Sequence, residues 1–274
     1  MKPVLIGADP ELFMKHPDSG DFISAHGRIP GTKWAPHKVP FGAVQVDGTA
    51  LEFNIDPATN VHEFLRNLKA VRRTLTAMVP GYQVVAEPVA YYKPNYFKKE
   101  IPAYAQELGC NPDYNAWTTD TNPRPNAVGK PFRTASGHLH IGWTAGEDVE
   151  DCNHFLLCCR LARQLDYGLG MYSLLWDFDS VRRSLYGKAG AFRPKTYGLE
   201  YRVLSNRWLD SDPLIRWIYS TVQFCMADAF AGIWYEDKYG DMARKVIDNN
   251  LLNWMADSAD FDIGLEMPPG VKVA

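Results

Sequence analysis

With 274 residues, 46% hydrophobic and 22% charged, the chain has the bulk for a sizeable core and the composition of a soluble globular protein. A net charge of −3 argues against a general nucleic-acid binder, and no apolar run approaches the length needed to cross a bilayer. The five cysteines (Cys110, Cys152, Cys158, Cys159 and Cys225) are odd in number and lack C-x-x-C spacing. Reduced thiols in a cytoplasmic protein fit that pattern better than a disulfide framework or a zinc cage, and the N-terminal apolar run is too short for a signal peptide.

In chain order, a first strand is expected near Val4–Met14, with Phe22–Ala25 as its hairpin partner across a turn rich in breakers. A Gly/Pro-punctuated loop, Gly27 to Gly42, leads to the strand pair Val44–Asp47 and Ala50–Ile55, joined at Asp47-Gly48. Asn60 with Glu63 three residues on reads as a helix start of capping-box type. Apolar residues from Val61 to Met78 follow helical spacing until Pro80-Gly81 stops them. Tyr82–Val89 reads as a strand. The proline-rich stretch 91–132 reads as an irregular region of the kind that often forms a lid.

Strand Ser136–Trp143 comes next, then helices at about Val149–Leu165 and Met171–Leu185. Gly187 to Lys195 reads as a loop and Thr196–Ser205 as a strand. Asp212-Pro213 opens a helix over Leu214–Phe230, and a further helix is expected from about Asp237 to Met255. Strands fill mostly the first half and helices the second, without βαβ alternation. That order favours one α+β domain over residues 1–265, an antiparallel sheet with helices on its outer face, followed by a tail, 266–274.

Four separated strands share one partition. Alternate residues of a strand point to the same face. Asp9 and Glu11 therefore oppose Ile6, Ala8 and Leu12, and Glu52 and Asn54 oppose Leu51, Phe53 and Ile55. His138 and His140 oppose Leu139 and Ile141, and Glu200 and Arg202 oppose Leu199, Tyr201 and Val203. Any one of these could be the wet face of a sheet. Together they describe a sheet whose inner face is a metal and phosphate site. Carboxylates outnumber histidines, which favours an oxygen-preferring ion such as Mg²⁺ or Mn²⁺ over Zn²⁺. Arg202 supplies charge for a phosphoryl group, and Arg193, Arg133 and Lys130 lie just upstream of the site strands, where they could close on a nucleotide. Lys130 serves equally well as surface charge. Gly129-Lys130 is followed by proline, so there is no P-loop.

The stretches GADPELF, VDGTALEFNIDPA, SGHLHIG and YGLEYRVLSNRW resemble, in the same order, the metal-site strands of the glutamine synthetase and glutamate–cysteine ligase superfamily. Their wording is most similar to the phage-type COOH–NH2 ligases. The resemblance implies a glutamine-synthetase-like catalytic domain with a curved antiparallel sheet, acting in a cytoplasm (the host's, if phage-encoded). It implies an ATP- and Mg²⁺- or Mn²⁺-dependent ligase that joins a small-molecule or peptide carboxylate to an amine through an acyl phosphate. It also implies Glu11, Glu52, His138 and Glu200 as metal ligands with Asp9 a further candidate, Arg202 facing the phosphoryl group and His140 at the nucleotide side. Of these, Glu52, His140 and Arg202 are the catalytic candidates. Asp9 departs from the glutamate usual at its position, so its shorter reach would act through water. The competing readings are a metal-dependent hydrolase, which would need a further histidine and finds only His154 downstream; a phosphotransferase, whose reactive cysteine loop is not evident; and a non-catalytic nucleotide-binding or structural protein.

Overall fold

A computed structural model describes residues 3–106, 113–125, 129–257 and 260–270. Strands β1 (Leu5–Lys15), β2 (Phe22–Ile23), β3 (His37–Val39), β4 (Gly42–Asp47) and β5 (Ala50–Ile55) precede helix α1 (Val61–Ala77). Strands β6 (Gln83–Val85) and β7 (Val89–Tyr91), helix α2 (Pro94–Glu100), and strands β8 (Tyr114–Asn115), β9 (Phe132–Thr134) and β10 (Gly137–Gly142) follow. The second half holds α3 (Cys152–Leu165), α4 (Met171–Ser173), α5 (Ser180–Leu185), β11 (Ala191–Lys195) and β12 (Gly198–Tyr201). It ends with α6 (Asp212–Phe230), α7 (Tyr235–Tyr239), α8 (Met242–Asp248) and α9 (Trp254–Asp257).

The main sheet runs β3-β4-β5-β1-β10-β12-β11-β8, with β2 and β6 also paired to β1. Its pairings are antiparallel, so the architecture is α+β with a large antiparallel sheet. On one face Ile6, Leu12, Phe53, Leu139, Ile141, Leu199 and Tyr201 are buried with Phe64 and Leu68 of α1, Leu161 of α3 and Ile218 and Val222 of α6. The alternation expected of the strands is thus realised, with helices covering the apolar face. No helix among the described residues is long and apolar enough to cross a membrane.

Capping chemistry sets the helix starts. Asn60 Oδ1 accepts the Glu63 amide, while Glu63 reaches back to the amide and hydroxyl of Thr59, one residue earlier than a capping box requires. Ser211 Oγ caps α6 ahead of Pro213.

Several boundaries differ from expectation. The helix expected over Met171–Leu185 is broken at Leu174–Asp179, because Asp179 turns its carboxylate onto the amides of Val181 and Arg182 and restarts the chain as α5. The stretch read as a loop from Gly187 contains β11. Pro194 is tolerated there because β8 pairs only with Ala191 and Phe192, leaving no ladder bond for a proline to miss. The strand expected over Thr196–Ser205 is shorter, Gly198–Tyr201. The Tyr82–Val89 strand is two pieces, and the Asp237–Met255 helix is interrupted at Gly240 and again after Asp248.

The described part of 91–132 holds more regular structure than the irregular loop expected there. Pro94 starts α2, and Tyr92, Phe97, Ile101 and Ala105 form a second core with Phe13, Ala50, Ala90 and Ala135. Phe13 shares a face with Glu11, and Ala50 with Glu52, so this core covers the far part of the polar face. Positions 107–112 and 126–128 of the expected lid, Cys110 among them, and residues 271–274 of the tail lie outside the described residues. The other four cysteines are free thiols.

Candidate metal and phosphate site

Register brings the predicted side chains together. Asp9 pairs with His138, His140 with Glu200, and Glu11 with Glu52, so one face of four adjacent strands carries them all. Gly137 permits this at the start of β10: a Cβ there would lie 2.3 Å from Trp208 Nε1 and 2.6 Å from the Ser205 carbonyl.

Asp9 bridges the two histidines. Its Oδ2 is 3.1 Å from His140 Nε2, and its Oδ1 lies 3.4 Å from His138 Nδ1 without an aligned hydrogen bond. His140 also meets the Tyr197 hydroxyl through Nδ1. Glu200, 2% exposed, is surrounded by cations: Arg202 touches Oε1, Lys195 Nζ is 2.6 Å from Oε2, and Arg193 is 3.6 Å away. Arg202 donates its Nε to Asp113 Oδ2 at 2.9 Å. Across β1, Glu11 Oε2 accepts the Ser136 amide at 2.7 Å, and Glu52 Oε2 accepts from Gln45 at 2.8 Å.

The field divides the site in two. Burial opposes ionisation of Glu200, but Arg202, His140 and His138 together overcome it and hold the carboxyl well below the usual range. Burial and Arg202 push His138 down to about 4, leaving a neutral imidazole able to bind a metal. Burial likewise opposes ionisation of Asp9, and His140 and His138 overcome it. On the other side burial, then Asp47, raises Glu11 to about 8. Burial and the charges of Asp9, Asp47 and Glu11 raise Glu52 well above its normal value.

This donor set fits a divalent ion. Asp9, His138 and Glu200 offer ligand atoms all within 4.8 Å of one another. The Glu11–Glu52 pair, with Asp9 and Asp47 close by in charge, is a cluster of carboxylates that a cation would relieve. Oxygen donors with one neutral imidazole suit Mg²⁺ or Mn²⁺.

Two cavities meet at this face. The smaller, about 240 Å³, is polar and takes in Glu11, Asp47, Arg133, Arg193, Lys195 and Arg202. The larger, about 720 Å³, is mostly apolar and takes in Leu5, Ile55, Trp143, Tyr197 and His140. Asp9, Lys33, Gln45 and Glu52 line both.

Of the sequence-predicted residues, Asp9, Glu11, Glu52, His138, His140, Glu200, Arg202, Arg193 and Arg133 all line one or both cavities. Lys130 is exposed and lines neither. His154 stands apart, buried on α3 with Nε2 2.9 Å from the Lys195 carbonyl, so the third histidine a hydrolase would need is not supplied by it.

Sequence reasoning missed Lys195, Asp113, Tyr197 and Arg182. Lys195 lies two residues from Arg193 on β11, a strand misread as loop. Asp113 had no local signal. Arg182 is 1% exposed and donates to the carbonyls of Val203 and Leu204 and to Ser136 Oγ, fixing the main chain that carries Arg202.

No protein family model matches the chain, and no curated protein matches it. Among solved structures, a bifunctional glutathione synthetase from Pasteurella multocida is similar over 90% of this chain and 40% of its own, with a TM-score of 0.47 and 11% identity. That likeness is too slight to carry fold or activity from one protein to the other.

Proposed function

We propose that the chain is an ATP- and Mg²⁺- or Mn²⁺-dependent carboxylate–amine ligase with a glutamine-synthetase-like catalytic domain. The observation that carries this reading is the pair of unlike cavities sharing a carboxylate wall, Asp9 and Glu52. A two-substrate transfer needs such a junction, and a simple hydrolase does not.

In this reading the larger, apolar cavity takes the nucleoside beside His140, and the smaller, cation-lined cavity takes the carboxylate. Asp9, His138 and Glu200 would hold a divalent cation, and Glu11 and Glu52 would serve as further metal ligands. The metal supplies Lewis-acid neutralisation of phosphate charge. A carboxylate acylates poorly because oxide would have to leave. Transfer of the terminal phosphoryl group gives an acyl phosphate, from which phosphate leaves when the amine attacks. Arg202, steadied by Asp113 and by Arg182 behind it, orients the phosphoryl oxygens. Glu52, common to both cavities and ionised once a metal is bound, would accept the proton released by the attacking amine.

The test is a matrix of small carboxylates and amines with ADP release as readout and mass analysis of products. The expected result is an amide formed with one ADP per bond and only when both partners are present. ATP-independent turnover would overturn the proposal.

A further inference from the structure

Lys33 stands where the two cavities join. Of the lysines and arginines lining the smaller cavity, it alone also lines the larger one. The other cations there are engaged: Lys195, Arg193 and Arg202 lie within 4 Å of Glu200, and the Arg133 guanidinium sits 4.9 Å over the Phe97 ring. Lys33 is exposed and makes no ion pair among the described residues, although Asp9 and Glu52 line the same wall.

Its position is built rather than incidental. Gly31 has φ +92°, and a Cβ there would lie 2.3 Å from the Val44 carbonyl, so only glycine lets the chain press onto β4 at this point. The Val46 amide bonds the Gly31 carbonyl, and Thr32 and Ala35 exchange main-chain hydrogen bonds at 3.1 and 3.0 Å. A tight turn is thus clamped at its base, with Lys33 and the 89%-exposed Trp34 at its tip.

We propose that Lys33 is a catalytic residue that binds the terminal phosphoryl group of the nucleotide as it passes from the larger cavity to the smaller. This assignment rests on the ligase reading. In the transfer, the bond from the terminal phosphorus to the bridging oxygen breaks, with its electron pair remaining on ADP. A carboxylate oxygen of the substrate supplies the pair for the new P–O bond. Lys33 keeps its proton and donates hydrogen bonds to the phosphoryl oxygens throughout, as a compact ammonium at the end of a flexible stem can.

The test compares binding of Mg·ADP and of the Mg complex of a β,γ-imido analogue of ATP to the unsubstituted protein, Lys33→Ala and Lys33→Arg. Lys33→Ala should weaken the analogue by about tenfold or more, the scale of one charge-assisted hydrogen bond. It should leave ADP affinity within about twofold, and Lys33→Arg should recover most of the loss. Equal weakening of both nucleotides, or of neither, would overturn the assignment of Lys33 while leaving the ligase reading standing. Failure of the unsubstituted protein to bind either nucleotide would overturn the ligase reading and this assignment together.

Discussion

Glu11 and Glu52 stand directly opposite each other in the β1–β5 register, a like-charge pair at the centre of the sheet. Such pairs are destabilising when both ionise. Burial and Asp47 raise Glu11 to about 8, and burial and Asp9 raise Glu52 well above its usual range. At pH 7 the metal-free protein therefore holds protons here. Binding of Mn²⁺ should expel them, and calorimetry in buffers of different ionisation enthalpy should register net proton release at pH 7. Release through Glu11 should shrink toward pH 9. Absence of any buffer dependence at pH 7 would contradict the assignment.

Glu52 and Glu200 should respond differently to removal. Glu52→Gln supplies a permanently neutral side chain where folding otherwise forces a carboxyl to take up a proton, so the metal-free variant should melt at or above the unsubstituted protein while losing metal affinity and turnover. Glu200→Ala strands Arg202 and Lys195 without their shared carboxylate, and breaking a buried pair of this kind costs about 3–5 kcal/mol. Urea titrations of the two variants side by side decide the matter, and equal destabilisation would refute it.

Arg202 allows charge and geometry to be separated. Arg202→Lys keeps the charge but cannot span Glu200 and Asp113 together. Turnover per folded molecule should fall by about 10²-fold or more, with a smaller effect on nucleotide binding. Asp113→Asn should produce a milder version of the same defect. Unchanged turnover in folded Arg202→Lys would remove Arg202 from the reaction.

Asp166 controls stability rather than chemistry. It is fully buried, accepts from Trp117 Nε1 and the Tyr201 hydroxyl, and burial raises its pKa from 3.8 to about 7 against those hydrogen bonds. The unfolded chain loses this proton first, so the stability that Asp166 contributes is full below about pH 4 and declines as pH rises to about 7. The slope is about 1.4 kcal/mol per pH unit at most. The stability difference between the unsubstituted protein and Asp166→Asn should follow that decline from pH 5 to 7 and level off above pH 8. Parallel curves would show that Asp166 is already ionised when folded at pH 5.

The site was legible in the sequence where it depended on alternation within a strand. Asp9, Glu11, Glu52, His140 and Glu200 each had an apolar neighbour on either side to mark the face, His138 had Leu139 after it, and antiparallel register then aligned them. Lys195 and Arg193 escaped correct placement because Pro194 between them argues against a strand, and only the shortness of β8 makes that proline harmless. Asp113 and Arg182 could not be found locally, since what they do is decided by partners 89 and 21 residues away. The break within 171–185 turned on one aspartate choosing the amides ahead of it, a choice that helical spacing does not record.

Asn206 donates to the Glu11 carbonyl from 195 positions away, and Glu200 and Arg202 complete a face begun at Asp9. During synthesis, Asp9, Glu11, Asp47 and Glu52 are therefore made long before the arginine and lysine that balance the other half of the sheet. The emerging chain carries an acidic sheet fragment that has Lys33 on its wall but still lacks Arg193, Lys195 and Arg202, and its β1 is exposed along the edge that β10 later fills. Contacts of such range slow folding. A divalent cation would serve such a fragment as a temporary partner for carboxylates still waiting for the last third of their own chain.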